Sequence, residues 1–452
     1  MSWSPLGWLG LYCLAACLTF VNPVFGMLGY FVEYYRRPEL QWWRRQVPDW
    51  RWNLIISVIW GASFLLRRGS LRELRPIRNL AIPWLLSLQG LMVIVTVLFA
   101  VAPAQSQNWT IQWGKLALIV PLLMIGSVRT RDQFNLYVAA NMIGALWWGY
   151  DAWVDPHRVA GRLVRIGSGD SLNDNAASIH LLTILPLTTV YVLAEKDKWL
   201  RGLAAVALPF IVNTLILCNS RGATVALLVS GGAGLLLVRP GYRLRFAGVA
   251  LAAVVGFFLL ADATFIRRQQ TTTNYETNGS AQGRLQAWKG AANLVQDHPF
   301  GTGGRGFHVL SPIYAPEVTE STGGEGRAPH NTYVMVVSEW GILGLILWIG
   351  FHSATFVMAS RIKNRAQVGD FYYWRGFGLQ ISLIAVWVAS VFADRLYGEA
   401  PYWLAGIVYA LYRIQHTEYA ENAEKTEMPT ARQTIPTLPP GVPQSDRASS
   451  AA

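Results

Sequence analysis

Apolar residues run along this chain in blocks near 6–32, 53–66, 80–101, 114–127, 134–150, 176–194, 202–218 and 223–238. Further blocks follow near 245–262, 332–357, 376–393 and 402–414. Most are apolar all round, unlike the alternation of a half-buried strand or the single stripe of a surface helix. Their length, typically about 17–25 residues, is what crosses a bilayer, and the pattern predicts about twelve transmembrane helices. Two stretches stand outside it. Residues 263–331 form one long hydrophilic loop with aromatic residues and a helical pattern, which favours order. Residues 416–452 are rich in Pro, Ser, Thr and charge and hold too little apolar surface to build a core, so they read as a disordered tail. The expected organisation is N-terminal transmembrane helices over 1–262, the loop, C-terminal transmembrane helices over 332–415, then the tail.

With the N-terminus inside, Arg67, Arg68, Arg72, Arg75 and Arg78 fall in cytoplasmic loops. So do Arg129, Arg131, Lys196, Lys198, Arg239, Arg243, Arg245, Arg361, Lys363 and Arg365. This matches the positive-inside rule. Residues 33–52 break it, with Arg36, Arg37, Arg44, Arg45 and Arg51 on the expected outer face. The alternative is that 6–32 is a helical hairpin broken at Pro23 and 53–66 lies along the membrane. Either version leaves everything after residue 80 with the same orientation, and the 263–331 loop outside.

Composition narrows the class. Of 452 residues, 52% are hydrophobic and 14% charged, against about 25% charged in soluble domains. A soluble enzyme, a fibrous protein and a disordered chain are excluded, and an all-α polytopic protein in a lipid bilayer remains. The net charge of +12 comes from basic residues between apolar blocks rather than along one stripe, so no nucleic-acid partner is expected. Cys13, Cys17 and Cys218 lie inside apolar blocks and read as small buried hydrophobes, without disulfide or zinc spacing. The first block lacks a basic leader and a cleavage pattern and reads as a retained span.

The candidate chemistry collects on the expected outer face. The loop opens with the polar run Thr271–Glu276, and a helix is predicted from about Ser280, whose hydroxyl can cap it, to Asp297. Leu285, Trp288, Ala292 and Val295 share one face of that helix, with Arg284 beside it. Arg284 reads equally as a snorkelling side chain or as a ligand for an anion. Gly301-Thr302-Gly303-Gly304-Arg305-Gly306 formally matches GxGxxG, but a helix precedes it and no strand does. It reads as a bend that lets backbone approach something closely, not as a nucleotide loop. The loop ends at His330, at or next to the start of a transmembrane helix, where a neutral imidazole can act as a general base or simply cap the helix. Asn219-Ser220-Arg221-Gly222 is so short a turn that Arg221 must lie at the outer membrane edge, where it needs a partner, most simply an anion. Arg158, Arg162 and Arg165 add positive charge to the same face, and Asp394 is the one carboxylate in a comparably tight outer turn.

Arg221, Arg284 and His330 thus converge from three separated segments. Guanidinium groups bind phosphate oxygens bidentately and stay charged. No metal-ligand spacing accompanies them. Near a partly buried site, two charges about 4 Å apart interact by about 4 kcal/mol at an effective dielectric near 20. Contacts that strengthen as a diphosphate departs would be a substantial catalytic contribution.

On Ser220-Arg221-Gly222-Ala223, Gly283-Arg284…Trp288…His298-Pro299-Phe300-Gly301…Gly303 and His330-Asn331-Thr332-Tyr333…Glu339…Gly341…Gly344, the chain resembles the O-antigen ligase superfamily. That group of bacterial inner-membrane proteins includes lipopolysaccharide O-antigen ligases, protein O-oligosaccharide ligases and related polymerases. The resemblance implies a glycan donor on undecaprenyl diphosphate at the periplasmic face and a lipid A core, protein or other lipid acceptor. It implies no cofactor and no metal, and it gives diphosphate binding to Arg221 and Arg284 and acceptor activation to His330. Arg158, Arg162, Arg165, Trp288, Asn331 and Asp394 are the accompanying candidates for the diphosphate or glycan. The implied activity is metal-independent, inverting glycan ligation. A polymerase with a second lipid-linked glycan as acceptor stays open, as do a transporter or exporter and a structural scaffold.

Overall fold

The computed structural model describes residues 3–67, 82–159, 161–270, 279–320 and 323–431. Arg68, Arg72, Arg75, Arg78, the run Thr271–Glu276, the Ser280 side chain and residues 432–452 lie outside the described residues. The chain divides into a unit spanning Met1–Ile414 and a second from Gln415 onward.

The first unit opens with α1 (Trp3–Thr19), α2 (Val24–Tyr35), α3 (Trp52–Leu66) and α4 (Ile82–Leu98). The first apolar block is therefore a helical hairpin, turned just before Val24, and the end of α2 meets Asp170 through Tyr34 and Asp151 through Arg36. Gly26 and Gly29 let α2 lie against Trp60 and Ile56 of α3; a Cβ on Gly26 would come within 2.6 Å of the Trp60 ring. Next, α5 (Pro103–Trp113) passes through a π-helical stretch, Gly114–Ile119, into α6 (Val120–Ser127). This element starts well before the expected span at 114. Its polar first half reads as loop in the sequence, but α4 and the outer loop satisfy it. Ser106 and Thr110 hydroxyls bond Thr96 Oγ1 at 2.8 and 2.9 Å, and Gly304 N donates to Ser106 Oγ at 2.9 Å.

After α7 (Arg131–Val154) a two-residue hairpin, β1 (Arg158–Val159) with β2 (Arg162–Leu163), is the sole departure from an all-α fold among the described residues. The helices α8 (Asp174–Ala194), α9 (Lys198–Cys218), α10 (Arg221–Leu237) and α11 (Arg243–Leu260) follow. The outer-loop region holds α12 (Ala263–Gln270), α13 (Gly279–Asp297), α14 (Gly306–Tyr314) and α15 (Pro316–Glu320). The chain continues through α16 (Thr332–Arg365), α17 (Phe371–Ala389) and α18 (Ala400–Ala431). Residues 416–431, expected as disordered tail, thus continue a helix. Their Ala and Glu content supports helix formation without any core.

Among the described residues, five helices are long and apolar enough to cross a membrane: Pro103–Ser127, α8, α9, Pro240–Leu260 and α16. Four shorter apolar helices, in α1, α3, α4 and α10, accompany them. The loops sort to two ends. At one, Arg375 pairs with Glu195, Lys363 Nζ donates to Leu237 O at 2.7 Å and an Arg239 guanidinium nitrogen donates to Ala366 O at 2.7 Å. At the other, Arg158 pairs with Asp262 at 2.6 Å, Asn219 Nδ2 donates to Gly161 O at 3.3 Å and Arg395 pairs with Asp170.

Two packing details differ from expectation. Cys13 and Cys17 are exposed on the surface of α1, and only Cys218 is buried. An apolar helix facing lipid exposes side chains that a soluble fold would bury. On α13 the buried face is Ala287, Gly290, Ala291 and Leu294 rather than the Leu285 stripe; Leu285 is 45% exposed, Ala292 is exposed and Trp288 is half-buried. Small residues win that face because α13 packs tightly: a Cβ on Gly290 would meet Tyr314 O at 2.3 Å.

Candidate functional site

The Asn219–Gly222 turn is built by its own side chains. Asn219 ends α9 in the left-handed region (φ 50°), and Ser220 caps α10, its hydroxyl accepting from Ala223 N at 3.4 Å. Asn takes that conformation more readily than most residues. Ser220 Oγ also donates to Asn175 Oδ1 at 2.9 Å, which ties the turn to α8. Gly222 gives room to the segment linking α17 to α18: a Cβ there would lie 2.6 Å from Phe392 Cβ. Arg221 is therefore fixed at the first turn of α10, an N-terminus that favours anions.

Arg221 sits among other arginines. Burial lowers the Arg284 guanidinium from its ordinary range, the charge of Arg221 and then that of Arg162 lower it further, and Asp394 opposes them. Arg268, on α12, is likewise lowered by burial and then by Arg162 and Arg221, with Arg284 adding to them and Asp174 opposing. Four guanidiniums from β2, α10, α12 and α13 thus repel one another across a half-buried space. Arg162 is steadied by Asp174 and by Asn175 Oδ1 at 2.8 Å. The buried Nε of Arg284 has no hydrogen-bond partner among the described residues. Like charges held together in low dielectric are costly without a counter-ion, so the cluster is suited to a multiply charged anion.

Beside this cluster lies His330, with φ 52°. Its Nδ1 is 3.2 Å from Asp394 Oδ2, and the other carboxylate oxygen accepts from Asn331 N at 3.0 Å. An ionised Asp394 holds the proton on Nδ1 and leaves Nε2 as the acceptor, on a ring that is 49% exposed. Three bonds steady the supporting loop: Thr332 Oγ1 donates to Ala393 O at 2.6 Å, Arg395 N donates to Thr332 Oγ1 at 2.9 Å and Thr332 N donates to Ser390 O at 2.8 Å. On the far side, Arg395 clamps Asp170 through its side chain and through the Asp170 carbonyl at 3.0 Å.

The glycine-rich bend approaches α16. That helix is broken at Gly341 (φ 71°, ψ −179°), which frees carbonyls for outside donors. Thr302 N reaches Ser338 O at 3.1 Å and Gly303 N reaches Glu339 O at 2.9 Å. Gly301 and Gly303 have φ of 95° and 80°, and a Cβ on Gly301 would come within 2.5 Å of Glu339 O. The break is thus filled by protein backbone. Glu339 turns its carboxylate to the Tyr397 hydroxyl at 2.7 Å.

A stretch of the sequence matches a family. Residues 204–349 fit the family model described as O-antigen ligase. This segment belongs to the O-antigen ligase superfamily. No curated protein matches the chain. The O-antigen ligase match takes in Arg221, Arg268, Arg284 and His330, and the Gly301–Gly306 bend with the Gly341 break it docks on; it leaves out Arg162, Asp170, Asp394 and Arg395. The family is one of multi-pass membrane enzymes acting on glycans, and lipid-linked glycans are its substrates.

Several candidate residues sit differently from their expected roles. Asp394, expected as a candidate for the diphosphate or glycan, faces His330. Asn331, not His330, caps α16: its Oδ1 accepts from Tyr333 N and Val334 N at 2.9 and 3.2 Å, so that oxygen is committed to the helix. Trp288 Nε1 donates to Pro329 O at 2.9 Å and so holds the residue before His330. Arg158 is paired with Asp262, and Arg165 is exposed and absent from the charges acting on Arg268 and Arg284. Sequence reasoning missed Arg268; its spacing of three from the buried Phe265 is the signal that puts it on the inner face of α12. Among the described residues, no group of three or more His, Cys, Asp or Glu side chains is placed to hold a metal ion.

Proposed function

We propose that the protein is a glycan ligase of the bacterial inner membrane that transfers a glycan from undecaprenyl diphosphate to an acceptor hydroxyl at the periplasmic face. The reading rests on one observation above all: the arginine cluster adjoins the His330–Asp394 pair. His330 Nε2 takes the proton of the acceptor hydroxyl. The acceptor oxygen bonds to the anomeric carbon as the bond from that carbon to the diphosphate oxygen breaks, with inversion. The electron pair leaves on undecaprenyl diphosphate, whose growing charge Arg221 and Arg284 stabilise, with Arg162 and Arg268 beside them. Asp394 acts as a positioning residue that fixes the imidazole tautomer. The guanidiniums fill the charge-neutralising role that a divalent ion fills elsewhere.

The test is reconstitution of the purified protein with a lipid-diphosphate-linked glycan and candidate acceptors. A single addition supports a ligase and a ladder a polymerase. Full transfer by Arg221→Ala would remove the assignment. Intact function in His330→Ala, with function lost in the arginine variants, would favour transport or binding.

A further inference from the structure

The first turn of α8 brings a charge of the opposite sign into the arginine cluster. Asn173 caps that helix, its side-chain oxygen accepting from Ala176 N at 2.9 Å, so the cap does not depend on the residues that follow. Asp174 pairs with Arg162, and its side chain is 13% exposed. Asn175 gives Arg162 a second acceptor that carries no charge. Its Oδ1 accepts from the guanidinium at 2.8 Å and from the Ser220 hydroxyl at 2.9 Å. One oxygen thus joins Arg162 to the turn that carries Arg221. The place of Arg162 has a neutral support beside its charged one.

A carboxylate at a helix N-terminus stabilises the helix, but the helix does not require it to turn onto an arginine of the cluster. The carboxylates that act on Arg268 and Arg284 are Asp174 and Asp394. Asp394 is engaged at the reacting end by His330 and Asn331 N. Asp174 instead occupies one of the cations that a diphosphate would use. Transfer makes the bound group more anionic: breaking the bond to the sugar leaves a terminal phosphate monoester, with about one further negative charge at neutral pH. A fixed set of guanidiniums then holds the product more tightly than the donor. Release of product is often the slow step of a well-evolved enzyme.

We propose that Asp174 is an internal counter-ion that limits how tightly the leaving diphosphate is held, by competing with it for Arg162. While the diphosphate is bound, Arg162 is shared between a phosphate oxygen and the Asp174 carboxylate. When the diphosphate departs, Asp174 takes Arg162 back, and Asn175 keeps the guanidinium in place in both states. Asp174 acts through Arg162 and is a positioning residue, not a catalytic one. The inference deepens the ligase reading and rests on it for the word leaving; the competition itself stands on the pairing with Arg162.

The experiment is isothermal titration calorimetry of the full-length protein in neutral detergent with inorganic diphosphate, at low and high salt, beside a transfer assay. Asp174→Asn should bind diphosphate at least about tenfold more tightly than wild type, equivalent to about 1.4 kcal/mol. Asp174→Glu, which restores the charge, should lose most of that gain, and the gain should shrink as salt screens the charges. In transfer, Asp174→Asn should lower both KM for the lipid-linked donor and kcat, with a rapid first turnover ahead of a slow steady state. A merely structural defect would lower kcat without tightening binding. Asn175→Asp carries the opposite sign. It keeps the accepting oxygen, adds a second carboxylate and should weaken diphosphate binding about tenfold, so the test survives a failure of Asp174→Asn to fold. Diphosphate binding by Asp174→Asn equal to or weaker than wild type, at an unchanged unfolding temperature, overturns the proposal. Unaltered binding by Asn175→Asp does the same. Tighter binding by Asp174→Asn in a protein that transfers no glycan keeps the counter-ion and removes the ligase reading. Transfer by a wild type that binds diphosphate no more weakly than Asp174→Asn keeps the ligase reading and removes the counter-ion.

Discussion

Two charged regions meet at the segment 390–399 and are built on opposite rules. On one side Asp394 and His330 adjoin Arg162, Arg221, Arg268 and Arg284, where burial and neighbouring like charges lower Arg268 and Arg284. On the other, Arg395 is matched by Asp170, which also accepts from the Tyr34 hydroxyl at 2.6 Å and from Glu399 N at 3.0 Å. Burial raises the Asp170 carboxyl, but the Arg395 guanidinium and the Tyr34 hydroxyl together bring it below its ordinary range, while burial and the Asp170 charge raise Glu399. Negative charge is thus favoured on Asp170 over Glu399. A matched, buried network holds a loop in place. A cluster in which arginines outnumber carboxylates stores affinity for an ion of the opposite sign. The two regions share a backbone turn, so the first positions what works beside the second.

The sharpest way to break this contrast is within the matched network. Arg395→Ala leaves Asp170 buried without its partner and should lower unfolding stability by about 3–5 kcal/mol, read by chemical or thermal unfolding in detergent. Stability within about 1 kcal/mol of wild type would remove the structural role assigned to the pair.

Arg221→Ala should behave in the opposite manner. Transfer should fall about 10²–10³-fold, the usual cost of removing one preorganised donor, while the unfolding temperature stays level or rises because a repulsion is relieved. Arg221→Lys should fail nearly as badly, since an ammonium lacks the planar fork. A lysine variant near wild-type rate would reduce the arginine to a point charge.

Two smaller changes probe the supports. Gly341→Ala places a Cβ 2.7 Å from Pro299 O in a backbone conformation that L-residues avoid, and should destabilise by about 1–3 kcal/mol. Protection of the Thr302 and Gly303 amides in hydrogen exchange should fall with it; unchanged protection would mean the bend docks without the break. Trp288→Phe removes the bond to Pro329 O and should cost about 0.5–1.5 kcal/mol, with a transfer defect that tracks the exposure of His330 rather than diphosphate binding.

Much was legible in the chain itself. Helix formation depends on local propensity and caps, so the boundaries of α8, α9 and α13 follow closely from sequence. The Ser220-Arg221-Gly222 turn, Arg284 and the position of His330 before a helix carry short-range signals of the same kind. The α5 boundary was missed because its polar face is satisfied by α4, a partner that no local pattern names. Residues 416–431 differ from the expected tail for a related reason, since helix needs no core when its residues favour it.

By itself the sequence determined that the protein is helical and membrane-embedded, and where its arginines and histidine fall between apolar blocks. Hydrophobicity and helix propensity are properties of neighbouring residues and need nothing from elsewhere. Only the tertiary structure decided the pairings: Asp394 with His330, Asn331 with its own helix, Arg158 with Asp262, and Arg395 with a residue 225 positions away. Electrostatics acts through space rather than along the chain, so which charge is neutralised and which is left for a ligand is fixed only when distant segments meet.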